Sequence, residues 1–154
     1  MNDPHAPELL LIEDNPQDLE LALLALRRSN PTVRIQVARD GAEALEFIFC
    51  EGAHAGRAIT EMPKVIFLDL KLPKIDGLDV LKRIKGDART HLIPIVVLTS
   101  SKEQRDVIES YKLGVNSYIV KPVNFERFSE AVRNLGFYWN HLNQPPGLEV
   151  VHRP

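Results

Sequence analysis

Residues able to do chemistry stand at the ends of short apolar runs in this chain. Glu13-Asp14 follows Leu9-Leu10-Leu11-Ile12, and Asp69 interrupts the run Lys64-Val65-Ile66-Phe67-Leu68-Asp69-Leu70. Thr99 closes the run Ile93 to Leu98, and Lys121 follows Tyr118-Ile119-Val120. Carboxylates held together repel and raise each other's pKa unless a cation intervenes. Hard oxygen donors with open positions suit Mg2+, which keeps waters and accepts phosphate oxygens. With such a cation in place, Asp69 could attack phosphorus as a carboxylate nucleophile. Lys121 would bring a compact positive charge to one phosphate oxygen and Thr99 a hydrogen bond to another. Taken singly, each residue has a plainer reading. A strand-end Asp is commonly a turn or cap residue, a Lys is commonly solvated, and Glu13-Asp14 could serve only the dipole of a following helix. The specificity lies in the ordered set.

The elements that must position this set follow from periodicity. The run through Asp69 reads as a strand buried on both faces, with Pro73 and Asp76-Gly77 as turn residues after it. Leu9–Ile12 is another buried strand. Asn15 then caps a helix with Pro16 at its first position and Leu19, Leu23 and Leu26 at helical spacing; Asn30-Pro31 ends it. Val33, Ile35 and Val37 alternate as the second strand. Asp40-Gly41 reads as a turn before a helix marked by Ala44, Leu45, Ile48 and Phe49. Residues 51–63 are the least patterned interior stretch and read as a surface loop. Leu78, Leu81 and Ile84 give a third helix, with Lys82, Arg83 and Lys85 placed favourably for its dipole. Ile93 to Leu98 is the fourth strand. A fourth helix carries Val107, Ile108 and Tyr111, and Gly114 closes it. Residues 118–120 form the fifth strand, and a last helix runs from about Asn124 to about Leu142. Strands alternating with helices through short links predict an α/β fold with a parallel sheet covered on both faces. In an open parallel sheet, ligands bind at the carboxyl ends of the strands.

The bulk numbers are those of one globular domain: 154 residues, 44% hydrophobic and 26% charged. A net charge of -2 shows no basic excess for nucleic acid. No apolar stretch approaches the roughly 20 residues of a membrane span, and residues 1–5 carry no signal-peptide pattern. With one cysteine, Cys50, no internal disulfide forms, which fits a reducing cytoplasm. Its apolar helical surroundings predict a buried, inert thiol.

Glu13-Asp14-Asn15, Asp69 with Leu72-Pro73-Lys74-Ile75-Asp76-Gly77, Thr99-Ser100-Ser101 and Tyr118-Ile119-Val120-Lys121-Pro122 together resemble the receiver domain of two-component response regulators. The resemblance spans about residues 8–142. It implies a flavodoxin-like, doubly wound, five-stranded parallel sheet of order 2-1-3-4-5 with five helices. It sets a receiver domain at 8–143, between a flexible arm at 1–7 and a tail at 144–154. It also implies that Asp69 takes a phosphoryl group from a histidine kinase or phosphotransfer protein, and that Glu13, Asp14, Asp69 and the Lys71 main-chain carbonyl serve Mg2+. Glu13, where many receivers carry Asp, would act through metal waters. Thr99 and Lys121 would contact the phosphate, with Thr99 and Tyr118 as the switch pair. Lys71 and Ser101 occupy positions that tune phosphoaspartate lifetime in the family. Lys121-Pro122 admits a cis peptide, at a cost of about 0.5–1 kcal/mol.

Output is expected through protein contact, because no DNA-binding motif follows. In the last helix Phe125, Phe128, Val132, Leu135, Trp139 and Leu142 form a stripe, most of which is expected to pack on the sheet. Phe137 is about 200° round from Leu135 and Tyr138 borders the stripe, so both are interface candidates. The Phe137-Tyr138-Trp139 cluster resembles single-domain regulators paired with bacterial phytochromes and related sensor kinases. Those commonly dimerise through the fourth helix, fifth strand and fifth helix, so a homodimer is expected. Competing readings are a non-phosphorylated docking module of the same fold, a haloacid-dehalogenase-type phosphatase and a flavin-binding electron carrier. The phosphatase requires an Asp where Lys71 stands. The electron carrier requires a phosphate-cradling loop where Glu13-Asp14 would repel the phosphate.

Overall fold

Leu9–Ile12 carries no polar side chain because helices cover both of its faces. In the computed structural model, which describes residues 5–146, this segment is β1 and all four residues are buried. The other strands are β2 (Ile35–Ala38), β3 (Val65–Leu68), β4 (Ile95–Thr99) and β5 (Ser117–Val120). They form one parallel sheet of order β2-β1-β3-β4-β5, as expected. The helices are α1 (Pro16–Ser29), α2 (Gly41–Ile48), α3 (Gly77–Lys85), α4 (Gln104–Lys112) and α5 (Phe125–Phe137).

Strand alternation divides the core in two. Leu10, Ile12, Ile66 and Leu68 pack with α2 and α3 residues such as Leu45, Phe47, Leu81 and Ile84. Leu9, Leu11, Val65 and Phe67 pack on the opposite face with Leu19, Leu26, Phe128 and Val132 of α1 and α5. Each such side chain taken fully from water contributes about 1.5–3 kcal/mol before the entropy of ordering is counted. Among the described residues, no helix is long and apolar enough to cross a membrane.

Several expectations need correction. Asp40-Gly41 is a helix start rather than a free turn: Asp40 caps α2 by accepting from the Glu43 N–H at 2.8 Å, and Gly41 is the first helical residue. Cys50 lies beyond the end of α2, half-buried, in the left-handed region at φ 55°. The helix stops at Ile48, so the apolar pattern does not carry the thiol into the core. The 51–63 loop contains a 3-10 turn at Gly52–His54 and is tied down by Arg57. The Arg57 guanidinium donates to the Phe47 and Glu61 carbonyls and stacks 3.7 Å from the centre of the Phe47 ring. Lys121-Pro122 is trans, as is every peptide bond among the described residues.

The last helix departs most from its 3.6-residue pattern. After Phe137 the chain widens into a π-helical turn, Tyr138–Leu142, closed by an Asn143 N–H to Tyr138 carbonyl bond of 2.6 Å. The wider turn rotates the side chains out of register. Asn140 is thereby buried, while Leu142, the last member of the stripe, is 63% exposed. Phe125 is also mostly exposed: it begins α5 and lies beside Gln17, Leu21 and Leu24 of α1 instead of on the sheet. Phe128 and Val132 are buried as expected, and Leu135 and Trp139 pack on the α1/α5 side of the core. The proposed arm and tail fall partly outside the described residues, which exclude 1–4 and 147–154. Ala6 is held, its carbonyl accepting from Arg34 Nε at 2.7 Å.

Candidate functional site

A parallel sheet delivers every strand's carboxyl end to one edge. Hydrogen bonds continue past the strands there and fix the residues that follow. The Glu13 N–H donates to the Ala38 carbonyl at 2.9 Å, Asp69 N–H to Ile12 at 3.1 Å and Lys121 N–H to Thr99 at 2.7 Å. Gly77 lets α3 begin against the backbone just after Asp69: its N–H donates to the Leu70 carbonyl at 2.9 Å, and a Cβ there would meet the Asp69 carbonyl at 2.6 Å. Any larger residue would push the 69–77 loop away from the sheet edge. Asn15 sets the first loop. Its side chain caps α1 through the Gln17 and Asp18 N–H groups, both at 3.0 Å, and its own N–H donates to Glu13 Oε2 at 3.1 Å.

Lys121 is the centre of the charged constellation. Its Nζ lies 2.7 Å from Glu13 Oε1, 2.8 Å from Asp18 Oδ2 and 2.9 Å from Asp69 Oδ2. Glu13 and Asp69 are buried. Burial pushes the Glu13 carboxyl up to about 7; the Asp69 charge adds to the rise, and the Lys121 hydrogen bond opposes it. Burial alone would lower the Lys121 pKa, but the bonds to Asp18, Glu13 and Asp69 outweigh it and hold the ammonium above the ordinary lysine value. The other Asp69 oxygen, Oδ1, accepts from the Lys71 N–H at 3.1 Å.

The donor set fits a hard divalent cation. One carboxylate oxygen from each of Glu13, Asp14 and Asp69 lies within 4.8 Å of the other two. Asp14 is exposed, so the group opens to solvent, as Mg2+ with its retained waters requires. Of the predicted ligands, Lys71 is placed by its N–H on Asp69.

Thr99, fully buried, stands at the same edge opposite Val120; its Oγ1 accepts from the Ser101 N–H at 3.4 Å. Tyr118 is half-buried against the α2/α3 side of the core, and its hydroxyl donates to the Ser101 carbonyl at 3.0 Å. Ser101 is therefore the meeting point of the two predicted switch residues, and its hydroxyl donates to Asp106 of α4 at 2.5 Å. Phe137 and Tyr138 are about half exposed at the end of α5. Sequence reasoning missed Asp18. In the first turn of a helix, an Asp reads as a dipole-favoured residue, and nothing local signals a partner 103 positions away.

Residues 9–133 match the family model of the response regulator receiver domain. The chain is 41% identical over 140 residues to the probable methanogenesis regulatory protein FilR2 of Methanothrix harundinacea, covering 90% of this chain and 87% of that one. It is 36% identical over 141 residues to the response regulator Rcp1 of Synechocystis, covering 90% and 94%. Among solved structures, the Mn(2+)-bound form of Rcp1 superposes with a TM-score of 0.83 at 35% identity, covering 91% of this chain and 99% of that one. The phosphorylated cyanobacterial phytochrome response regulator RcpA gives 0.84 at 36%, covering 92% and 99%. The bacteriophytochrome response regulator RtBRR gives 0.71 at 47%, covering 94% and 88%. The edge that gathers Glu13, Asp14, Asp69, Thr99 and Lys121 thus stands on a chain that belongs to the response regulator receiver domain family.

Proposed function

We propose that Asp69 accepts a phosphoryl group, in a Mg2+-dependent reaction, from phosphohistidine on a sensor histidine kinase or a phosphotransfer protein. The observation that carries this reading is the Asp69 carboxylate itself: buried, in the acidic triad, with Lys121 on one oxygen and the Lys71 N–H on the other. A neighbour described as phosphorylated and another described as Mn(2+)-bound support it. Asp69 supplies the electron pair for the new oxygen–phosphorus bond. The phosphorus–nitrogen pair returns to the imidazole, which leaves. Lys121 and Thr99 would meet the phosphoryl oxygens, while Asp14, Asp69 and the Lys71 carbonyl would hold the cation and Glu13 would act through its waters. Bound there, Mg2+ offsets the charge of carboxylates and phosphate together. No other turnover reaction is assigned to the site.

Phosphorylation adds roughly -1.5 to -2 charges and three acceptor oxygens. Moving a two-state protein from one form to the other takes about 5.5 kcal/mol, within reach of a few charge-assisted bonds of roughly 1.5–3 kcal/mol each. Thr99 moves toward that charge and Tyr118 follows, altering the surface of α4, β5 and α5. We assign a homodimer to that surface, with Phe137 and Tyr138 in it, and phytochrome-type sensor kinases among the donors. The site of action is the cytoplasm, without nucleic acid or membrane as partner.

Light scattering with and without Mg2+ plus acetyl phosphate tests this, with intact mass as the check on modification. Wild type is expected to gain one phosphoryl group and move from monomer to dimer, and Asp69→Asn to do neither. Phe137→Glu should be modified normally yet stay monomeric. Modification without a change from monomer to dimer removes dimerisation from the proposal; no modification leaves the docking-module reading in its place.

A further inference from the structure

Asp18 differs from the other two carboxylates on Lys121. Glu13 and Asp69 belong to the acidic triad, and Asp69 is also the nucleophile, so both have a second demand on their charge. Asp18 stands outside the triad, and its carboxylate has no other hydrogen-bond donor among the described residues. The ammonium donates hydrogen bonds to Asp18 at 2.8 Å and to Asp69 at 2.9 Å, and forms an ion pair with Glu13 at 2.7 Å. A cation drawn to the triad competes for Glu13, and a phosphoryl group replaces the charge on Asp69. The Asp18 contact is the one that neither event touches.

The platform beneath Asp18 is rigid. It sits in the first turn of α1, its N–H held by the Asn15 cap at 3.0 Å. A lysine side chain has four freely turning bonds and is otherwise poorly suited to aim a charge. We propose that Asp18 is a positioning residue for phosphoryl transfer: it anchors the Lys121 ammonium so that one N–H stays aimed at Asp69. This rests on the reading of Asp69 as phosphoacceptor. Asp18 touches neither the phosphoryl group nor the cation; it acts through Lys121.

The test compares wild type, Asp18→Ala, Asp18→Asn and Asp18→Glu in phosphorylation by acetyl phosphate, followed by intact mass, with Mg2+ saturating for each variant. Misplacing one charge-assisted hydrogen bond is expected to lower the maximal rate about tenfold in Asp18→Ala. Asp18→Asn should fall in between, and Asp18→Glu should recover part of the loss. The half-saturating acetyl phosphate concentration should not rise, because a removed negative charge does not hinder an anion. In a Lys121→Ala background, Asp18→Ala should add no further loss. In the unphosphorylated, Mg2+-free protein, the Lys121 ammonium nitrogen–proton NMR signal should be sharp in wild type and lost in Asp18→Ala. Wild type that takes no phosphoryl group sinks the Asp69 reading and this one with it. Wild type that is modified at the same rate as Asp18→Ala overturns the positioning role alone, as does an equal loss in the Lys121→Ala background.

Discussion

Lys121 and Lys85 face each other across the length of the sheet, one at its carboxyl edge and one at its amino edge. Each ammonium meets three oxygen acceptors. Lys85, in the last turn of α3, donates to the His91 carbonyl at 3.1 Å, the Ile93 carbonyl at 2.8 Å and Asn116 Oδ1 at 3.4 Å. The acceptors of Lys121 are carboxylates, and its pKa is raised despite burial. Those of Lys85 are neutral, and burial takes its pKa down to about 8. Acceptor number is equal; acceptor charge decides the sign. Lys85 is therefore a brace between the end of α3 and the starts of β4 and β5, while Lys121 is a cation held by three carboxylates at the site edge.

The largest break in that comparison is Lys121→Met. It leaves Glu13, Asp18 and Asp69 facing one another without a cation. Removing one partner of a buried ion pair costs about 3–5 kcal/mol, and urea unfolding without Mg2+ at pH 8 should show a loss of that size. At pH 5, below the raised pKa of Glu13, one carboxylate is neutral and the loss should shrink. Mg2+ should restore part of it at pH 8. A loss equal at both pH values would mean that Lys121 serves as packing, and the contrast with Lys85 would disappear.

Lys85→Met is expected to cost less, about 1–2 kcal/mol at pH 7, because it strands neutral carbonyls at a partly wetted edge. Mg2+ should leave this loss unchanged, since the cation's donors lie at the other edge. A Mg2+-dependent loss in the same unfolding experiment would mean that the two edges are coupled.

The two lysines also mark what sequence could and could not disclose. The place of Lys121 was legible because it sits in a local pattern: a short strand, then Lys-Pro, in a chain whose other strands also end in reactive groups. The edge shared by Glu13, Asp14, Asp69 and Thr99 was legible because parallel connections place strand ends together, whereas the strand order came only from the family resemblance. Lys85 read only as a cation near a helix C-terminus, because Asn116 is 31 positions away. Asp18 was hidden in the same manner behind a plausible cap-region role. Phe125 and Leu142 are the two members of the stripe that do not pack on the sheet, for a different reason. A periodic stripe presumes an unbroken 3.6-residue helix that lies wholly over the sheet. The π-turn at Tyr138–Leu142 breaks the first condition, and the overhanging start of α5 breaks the second.

The smallest predicted effect is the one that tests the sign directly. The Lys85 pKa is about 8 in the folded protein against an ordinary 10.5. Between those values the unfolded chain holds a proton that the folded chain has released, so stability rises with pH across the window. Lys121 behaves oppositely: its pKa is raised on folding, so its contribution is full below 10.5, falls as pH rises from there through the folded value, and is gone above it. Other titrating groups are common to wild type and Lys85→Met and cancel in the difference between their unfolding free energies. From pH 8 to pH 10.5, wild type should therefore gain on the variant. The gain should stay under about 1 kcal/mol, because water screens a partly exposed ammonium. If wild type instead loses ground through this window, Lys85 is stabilised as a cation. Its carbonyl acceptors would then suffice without formal charge, and three neutral oxygens would do for a buried ammonium what three carboxylates do.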